Sequence, residues 1–153
     1  MKFLIVSDTH GNRSSLETLL SSEKFDGFLH LGDGAREAAE VSGLFPGLIF
    51  LGVTGNCDFD TAGLPAERIA SVGGVPSILC HGHRYGVKLG YGTLISHARA
   101  LGVRAVFCGH THIPVIREYR GILLVNPGSL GFSGSYAVAE TEDGKIKAEL
   151  FRL

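Results

Sequence analysis

The chain begins with the apolar run Lys2-Phe3-Leu4-Ile5-Val6 and continues directly into Ser7-Asp8-Thr9-His10-Gly11-Asn12. The apolar run is typical of a buried strand, and the leucines of residues 13–22 follow the spacing of an amphipathic helix. If the strand continued through Asp8 and His10, both side chains would leave the same face of it. Open α/β sheets bind ligands at the carboxyl ends of their strands. This stretch therefore predicts half of a metal site.

Composition limits the class of protein. The chain has 153 residues, 44% of them hydrophobic and 19% charged, which predicts one globular domain spanning residues 1–153. No apolar run reaches the roughly 20 residues needed to span a bilayer, and no signal-peptide pattern precedes the first strand. The three cysteines are an odd number without the spacing of a disulfide framework. We therefore expect a cytoplasmic protein with no membrane association.

Charge is unevenly distributed although the net charge is only −1. Residues 1–67 contain ten acidic and four basic residues, whereas residues 68–117 contain six basic residues and no acidic one. One interpretation is an electropositive side that attracts an anion such as phosphate. The other is an ordinary solvated surface, which the sequence slightly favours.

The order of the elements predicts an α/β fold. Strands are predicted at 2–7, 25–31, 48–53, 67–72, 75–80, 105–108, 115–119, 122–126, 136–140 and 145–151, and helices at 13–22, 35–42 and 91–101. The first half repeats strand, polar loop and helix, which indicates a partly parallel sheet. The second half is dominated by hairpins, such as the one around Gly73-Gly74.

Polar clusters follow five of the apolar strands. Their candidate metal ligands are Asp8, His10, Asp33, Asn56, His81, His110 and His112. A single histidine at a strand end is usually structural, but five such clusters in succession are difficult to obtain by chance. Carboxylate, amide and imidazole donors together suit Mn, Fe, Co, Ni or Zn.

These motifs resemble a known family. Asp8-Thr9-His10, Gly32-Asp33, Gly55-Asn56-Cys57-Asp58, His81-Gly82-His83, Gly109-His110-Thr111-His112 and Asn126-Pro127-Gly128-Ser129 are similar to the calcineurin-like metallophosphoesterases. More narrowly, they resemble the small bacterial and archaeal phosphodiesterases of the YfcE type. The resemblance implies two mixed β-sheets packed as a sandwich and flanked by helices.

The resemblance also implies a ligand set and a reaction. The first metal would be held by Asp8, His10 and His112, the second by Asn56, His81 and His110, and Asp33 would bridge them. Two divalent cations are expected, with Mn favoured and Ni, Fe, Co or Zn open. A bridging hydroxide would attack phosphorus in line, and Asn56 would help to hold the phosphoryl oxygens.

Cys57 departs from the family pattern, because many relatives carry a histidine there that helps to protonate the leaving group or to bind phosphate. A thiol, with a reference pKa of ~8.5, is a poor general acid near neutral pH. The catalytic candidates are thus Asn56, Cys57 and Asp58, although Asp58 has the alternative of a turn or helix-start role.

The leading functional hypothesis is a dinuclear metal-dependent phosphodiesterase that acts on a small phosphate ester. One alternative is a non-catalytic scaffold of the same fold, like the small subunit of retromer. A nuclease is the other, although the length and the net charge give nucleic-acid binding no support. A homo-oligomer remains open.

Overall fold

The computed structural model describes all residues, 1–153, and contains ten strands and four helices. The strands are β1 (Lys2–Val6), β2 (Gly27–Leu31), β3 (Ile49–Val53), β4 (Glu67–Val72), β5 (Val75–Cys80), β6 (Ala105–Phe107), β7 (Val115–Tyr119), β8 (Ile122–Asn126), β9 (Ser135–Glu142) and β10 (Lys145–Arg152). The helices are α1 (Arg13–Ser22), α2 (Ala35–Ser42), α3 (Gly92–Ala100) and α4 (Leu130–Ser133). No helix is both long enough and apolar enough to cross a membrane.

The strands form two five-stranded mixed sheets, with the orders β10-β9-β1-β2-β3 and β4-β5-β6-β8-β7. In the first sheet β1, β2 and β3 are parallel, while β9 and β10 are antiparallel. In the second sheet β5, β6 and β8 are parallel, with antiparallel partners at both edges. The predicted α/β class with two mixed sheets is confirmed.

Alternation along the strands explains the layers. Phe3 and Ile5 of β1 pack into the core between the sheets, whereas Leu4 and Val6 face the layer formed by α1 and α2. In β5, Leu79 joins the core between the sheets, and its neighbours face the layer formed by α3. Each fully buried apolar side chain of this kind stabilises the fold by about 1.5–3 kcal/mol. The helices therefore flank a sheet-on-sheet sandwich, as predicted.

Two parts of the sequence prediction need correction. Strand β1 ends at Val6, and Asp8 and His10 have backbone φ angles of 53° and 44°, so the strand does not continue through them. Side-chain alternation therefore does not place these two residues on one face; the loop does. The short helix α4 and a 3-10 turn over His83–Tyr85 were not predicted, because neither is long enough to show a periodic pattern.

Cys80 and Cys108, which each precede a ligand-bearing loop, are buried in the layer beneath α3. Burial raises the pKa of the Cys80 thiol to about 12, so it remains protonated and packs as a small apolar side chain.

Candidate metal centre

Loops at the carboxyl ends of five parallel strands bring the predicted ligands together. Asp8 follows β1, Asp33 follows β2, Asn56 follows β3, His81 follows β5 and His110 follows β6. His112 comes from the same loop as His110. Because parallel strands present their carboxyl ends at one edge, residues far apart in sequence meet here.

The two aspartates form the centre of the cluster. Asp8 Oδ1 lies 3.0 Å from His112 Nε2, 3.8 Å from His10 Nε2 and 3.8 Å from His81 Nε2. Asp33 Oδ2 lies 3.3 Å from His81 Nε2 and 3.8 Å from His10 Nε2. Two ligands that each lie roughly 2.1 Å from one ion are separated by about 3–4 Å, so these spacings fit donors that share a cation.

The protonation of His81 adds a chemical argument for a cation. Its Nδ1 lies 2.7 Å from the backbone oxygen of Leu31, which can only accept, so Nδ1 carries a proton. The other ring nitrogen, Nε2, faces the carboxylates and lies 3.2 Å from Nδ1 of His110. Burial opposes a charge on this ring, but the hydrogen bond to Asp33 and the charge of Asp8 raise its pKa, so a proton on Nε2 takes this place when no metal ion does. Several electron-rich atoms facing one another repel unless a proton or a metal ion lies between them. The donor set therefore fits a metal.

Burial divides the site into a floor and a rim. The side chains of Asp8 and His81 are fully buried and that of Asp33 is 3% exposed, whereas those of His10 and His112 are 25% and 40% exposed. Burial alone would raise the pKa of Asp33, but hydrogen bonds from His81 and from the backbone N–H of Cys57 hold it below its ordinary value. The site thus has an anionic floor and is open on one side.

Backbone strain is concentrated in the same residues. Of the eight non-glycine residues with positive φ, five are predicted ligands: Asp8, His10, Asp33, His110 and His112. Non-glycine residues in this region cost of order 1 kcal/mol each and persist only where the surrounding structure holds them. Strain of this kind often occurs at functional sites.

The residues of the Asn56-Cys57-Asp58 segment differ in how they face the cluster. The side chain of Asn56 is exposed and donates to Cys57 Sγ at 3.3 Å, so the structure brings the residue near the cluster without turning its amide toward the other donors. The Cys57 thiol lies within 4.8 Å of donor atoms of His10 and Asp33. Burial, followed by the nearby Asp33, raises the pKa of this thiol.

Asp58 holds the Asp33 loop in place. Its Oδ2 accepts from the backbone N–H groups of Asp33 at 2.8 Å and Gly55 at 2.7 Å. Its Oδ1 accepts from Gly34 at 2.8 Å and Ala35 at 2.9 Å, where α2 begins. Since Gly34 has no side chain to cap this helix, the distant Asp58 caps it. Asp58 is therefore a positioning residue for Asp33.

The Asn126-Pro127-Gly128-Ser129 turn and α4 support Asp8 from behind. Ser129 Oγ donates to the backbone oxygen of Asp8 at 2.9 Å, and the backbone N–H of Gly131 donates to the same oxygen at 3.0 Å. A Cβ atom on Gly131 would lie 2.3 Å from the backbone oxygen of Thr9. This close approach of two backbones requires glycine at position 131.

Phe132 is a site residue that sequence reasoning missed. Its ring centroid lies 5.0 Å from that of His10 and 5.3 Å from that of His112, and the residue is 71% exposed. An aromatic residue on a four-residue helix gives no periodic signal that could have identified it. In the structure its ring packs against the two imidazoles on the rim.

A buried network connects the first loop to α2. The His30 ring is fully buried; its Nδ1 accepts from the Gly32 N–H at 3.3 Å, so Nε2–H donates to Thr9 Oγ1 at 3.1 Å. The Thr9 hydroxyl donates in turn to Glu37 Oε2 at 2.9 Å. His30 is thus a buried neighbour of the ligands.

Stability should therefore depend on pH through His30. Burial lowers its pKa from 6.5 to about 4, despite the opposing charge of Asp58. Between pH 6.5 and about 4 the unfolded chain binds a proton at His30 that the folded chain does not bind. The free energy of unfolding therefore falls as pH falls from 6.5 to about 4, by up to roughly 3 kcal/mol.

We expect urea denaturation between pH 4.5 and 7 to show a smaller pH dependence for His30→Asn than for the wild type. Equal slopes for the wild type and His30→Asn would contradict the prediction.

Comparison with known proteins gives the family. Residues 1–144 match the model of the calcineurin-like phosphoesterase superfamily domain. The probable metallophosphoesterase YsnB of Bacillus subtilis is 31% identical over 150 residues, which cover 94% of this chain and 86% of that protein. A predicted phosphoesterase from Streptococcus pneumoniae has a TM-score of 0.83 at 26% identity, covering 99% of this chain and 88% of that one.

More distant structures share the fold alone. An archaeal phosphodiesterase has a TM-score of 0.74 at 20% identity, covering 99% of this chain and 100% of that one. A Vps29 complexed with Zn²⁺ from Entamoeba histolytica has a TM-score of 0.76 at 21% identity, covering 99% of each chain. Because the family model spans most of the chain and agrees with the Bacillus relative, the chain belongs to the calcineurin-like phosphoesterase superfamily.

Proposed function

We propose that the protein is a metal-dependent phosphodiesterase with a dinuclear centre. The observation that carries the proposal is the convergence of Asp8, Asp33 and His81, in which Nε2 of a buried histidine faces two buried carboxylates. That arrangement suits a cation better than it suits the free side chains. Membership of a phosphoesterase family supplies the reaction class.

The ligand assignment follows the two donor clusters. Asp8, His10 and His112 would hold one ion, and their donor atoms lie within 4.8 Å of one another. His81 and His110, with Asn56, would hold a second, and Asp33 would contact both. For Asn56 the support is its position after β3, since its amide donates to Cys57.

When bound, two divalent cations would supply a water of lowered pKa and stabilise the charge on the phosphoryl oxygens. The chain's contribution is to orient those ligands and leave the exposed rim for substrate. Hydrolysis adds the oxygen of water to phosphorus and breaks the bond from phosphorus to the leaving oxygen. That oxygen takes a proton, and the products are a phosphomonoester and an alcohol.

The alternatives are less well supported. A scaffold can lose metal ligands freely, yet all seven predicted ligand residues are present and six of them lie together. The likeness to Vps29 is a likeness of fold. A nuclease would be expected to carry a basic surface, whereas the net charge is −1.

The direct test is hydrolysis of a panel of phosphomonoesters and phosphodiesters, with Mn, Ni, Fe, Co, Zn or no metal added in turn. We expect turnover only with metal, Mn giving the highest activity, and higher kcat/KM for diesters than for monoesters. The absence of turnover of every ester with every metal, by a protein whose circular dichroism shows it folded, would overturn the proposal.

A sharper prediction concerns Cys57, where many relatives carry a histidine. We expect Cys57→His to increase kcat for diesters with poor leaving groups, such as alkyl esters, by about 10-fold or more, because imidazole is the better proton donor near pH 7. For diesters with p-nitrophenolate as leaving group, kcat should change little, because p-nitrophenolate leaves without a proton. Equal effects on both groups of ester would refute the argument from a missing acid.

A further inference from the structure

A groove of about 450 Å³ opens beside the predicted metal centre. Thr111, which lies between His110 and His112, forms part of its wall. The opposite walls come from the segment before α3 and from one face of β7. The side chains that matter for recognition are Lys88, Leu89, Tyr91, Ile113, Arg117 and Tyr119. Its volume lies within the usual range for small-molecule sites.

The charge of the groove is positive. Lys88 and Arg117 are both exposed, and no carboxylate is among the lining residues. Alternation along β7 directs Arg117 and Tyr119 to the groove face, and Arg117 lies 3.5 Å from the Tyr119 hydroxyl. Glu118 alternates to the other face of the strand and does not line the groove. Two cations without an acidic partner in a concave surface favour an anion.

The groove also exposes apolar and aromatic surface. Leu89 is 98% exposed and Ile113 is 64% exposed, while the rings of Tyr91 and Tyr119 are half-buried. Aromatic side chains of this kind provide faces on which a planar ring can stack. A ligand with only an aryl group would make no contact with the two cations, and inorganic phosphate would make no contact with the apolar surface.

We infer that this groove binds the nucleotide half of a phosphodiester substrate, with a planar base against the tyrosines and a second phosphate against Lys88 and Arg117. The diester that is cleaved would then lie at the adjacent metal centre, so the inference rests on the proposed function. Two cations and a groove of this size suit a dinucleotide-sized substrate, whereas a long nucleic acid would need a continuous basic surface.

The test compares two substrates with the double variant Lys88→Ala/Arg117→Ala. We expect its KM for diadenylate carrying a 5′-phosphate to rise about tenfold, which corresponds to the loss of two weak ionic contacts. Its kcat and KM for bis(p-nitrophenyl) phosphate, which lacks a second phosphate, should stay within twofold of wild type. The matched control Arg99→Ala/Arg104→Ala removes the same charge from exposed positions outside the groove and should change neither substrate. Equal KM changes for both substrates, or equal effects of the two double variants, would overturn the inference.

A second measurement separates this inference from the proposed function. Adenosine 5′-monophosphate is titrated into the zinc-loaded protein and followed by the amide NMR shifts of residues 87–91 and 115–119. The inference is supported if these amides shift in the wild type and the affinity obtained from the shifts is about tenfold weaker in Lys88→Ala/Arg117→Ala, the groove variant. This holds even if no ester is hydrolysed. Shifts confined to other regions, or the same affinity in the groove variant, would reject the groove whatever the activity assays show.

Discussion

Replacing Asp33 by asparagine is expected to abolish activity. Asp33 is 4% exposed, its Oδ1 accepts from the Cys57 N–H at 2.8 Å, and its Oδ2 faces two predicted histidine ligands. Asparagine preserves the shape but removes one of only two carboxylates available to offset two divalent cations. We expect loss of bound metal and a fall in phosphodiester kcat/KM of at least about 10³-fold, measured by elemental analysis and by steady-state kinetics.

Asp60→Asn provides the matched control. Asp60 is an exposed carboxylate in the same part of the chain, and its contact with Arg36 is a long one of 3.9 Å. The same chemical change there should leave metal content and activity within twofold of wild type. An Asp33→Asn protein that retains two equivalents of metal and full turnover would show that Asp33 does not bridge the ions.

The second large effect is expected on stability. In Gly131→Ala the new Cβ would lie 2.3 Å from the backbone oxygen of Thr9 and 2.9 Å from that of Asp8. Backbone atoms cannot rotate away as a side chain can, so either α4 or the ligand loop must shift. Overpacking of this kind costs about 3 kcal/mol or more, which lowers the Tm of a domain of this size by roughly 10 °C.

Gly92→Ala makes the same substitution in the first turn of α3. A Cβ atom there meets nothing within 4 Å, and alanine is the better helix former, so we expect unchanged or slightly higher Tm. Thermal unfolding followed by circular dichroism distinguishes the two variants. A Gly131→Ala protein that unfolds within 2 °C of wild type would mean that the contact between α4 and the loop is not a tight one.

Much of the fold could be predicted because it depends on local patterns. Apolar spacing gave the bounds of α1 and α2 as observed, and alternation between turn residues gave those of β4, β5, β7 and β8. These elements bury one face or stripe, and the period of that stripe is present in the sequence. The choice of ligand residues depended on motif order, and the structure places six of the seven together.

The parts that could not be predicted depend on distant contacts. No local pattern reveals that Asp58 accepts four backbone hydrogen bonds around Asp33, since the donors are three to 25 residues away. Phe132 reaches the rim only because α4 packs behind Asp8. The left-handed backbone at Asp8 and His10 was missed because neither is glycine, the residue that usually indicates such a turn.

That left-handed backbone has a consequence for the evolution of the fold. Five strained ligands together cost about 5 kcal/mol, which is comparable to the whole stability of a small domain. Bound cations would offset the strain, because they stabilise the folded chain and not the unfolded one. A descendant that no longer needed chemistry could relieve part of this strain by replacing a more exposed ligand such as His112, whose side chain is 40% exposed, with glycine. Selection for stability alone would therefore act first on the rim of the metal centre, while the sandwich, whose core does not include the ligands, is retained.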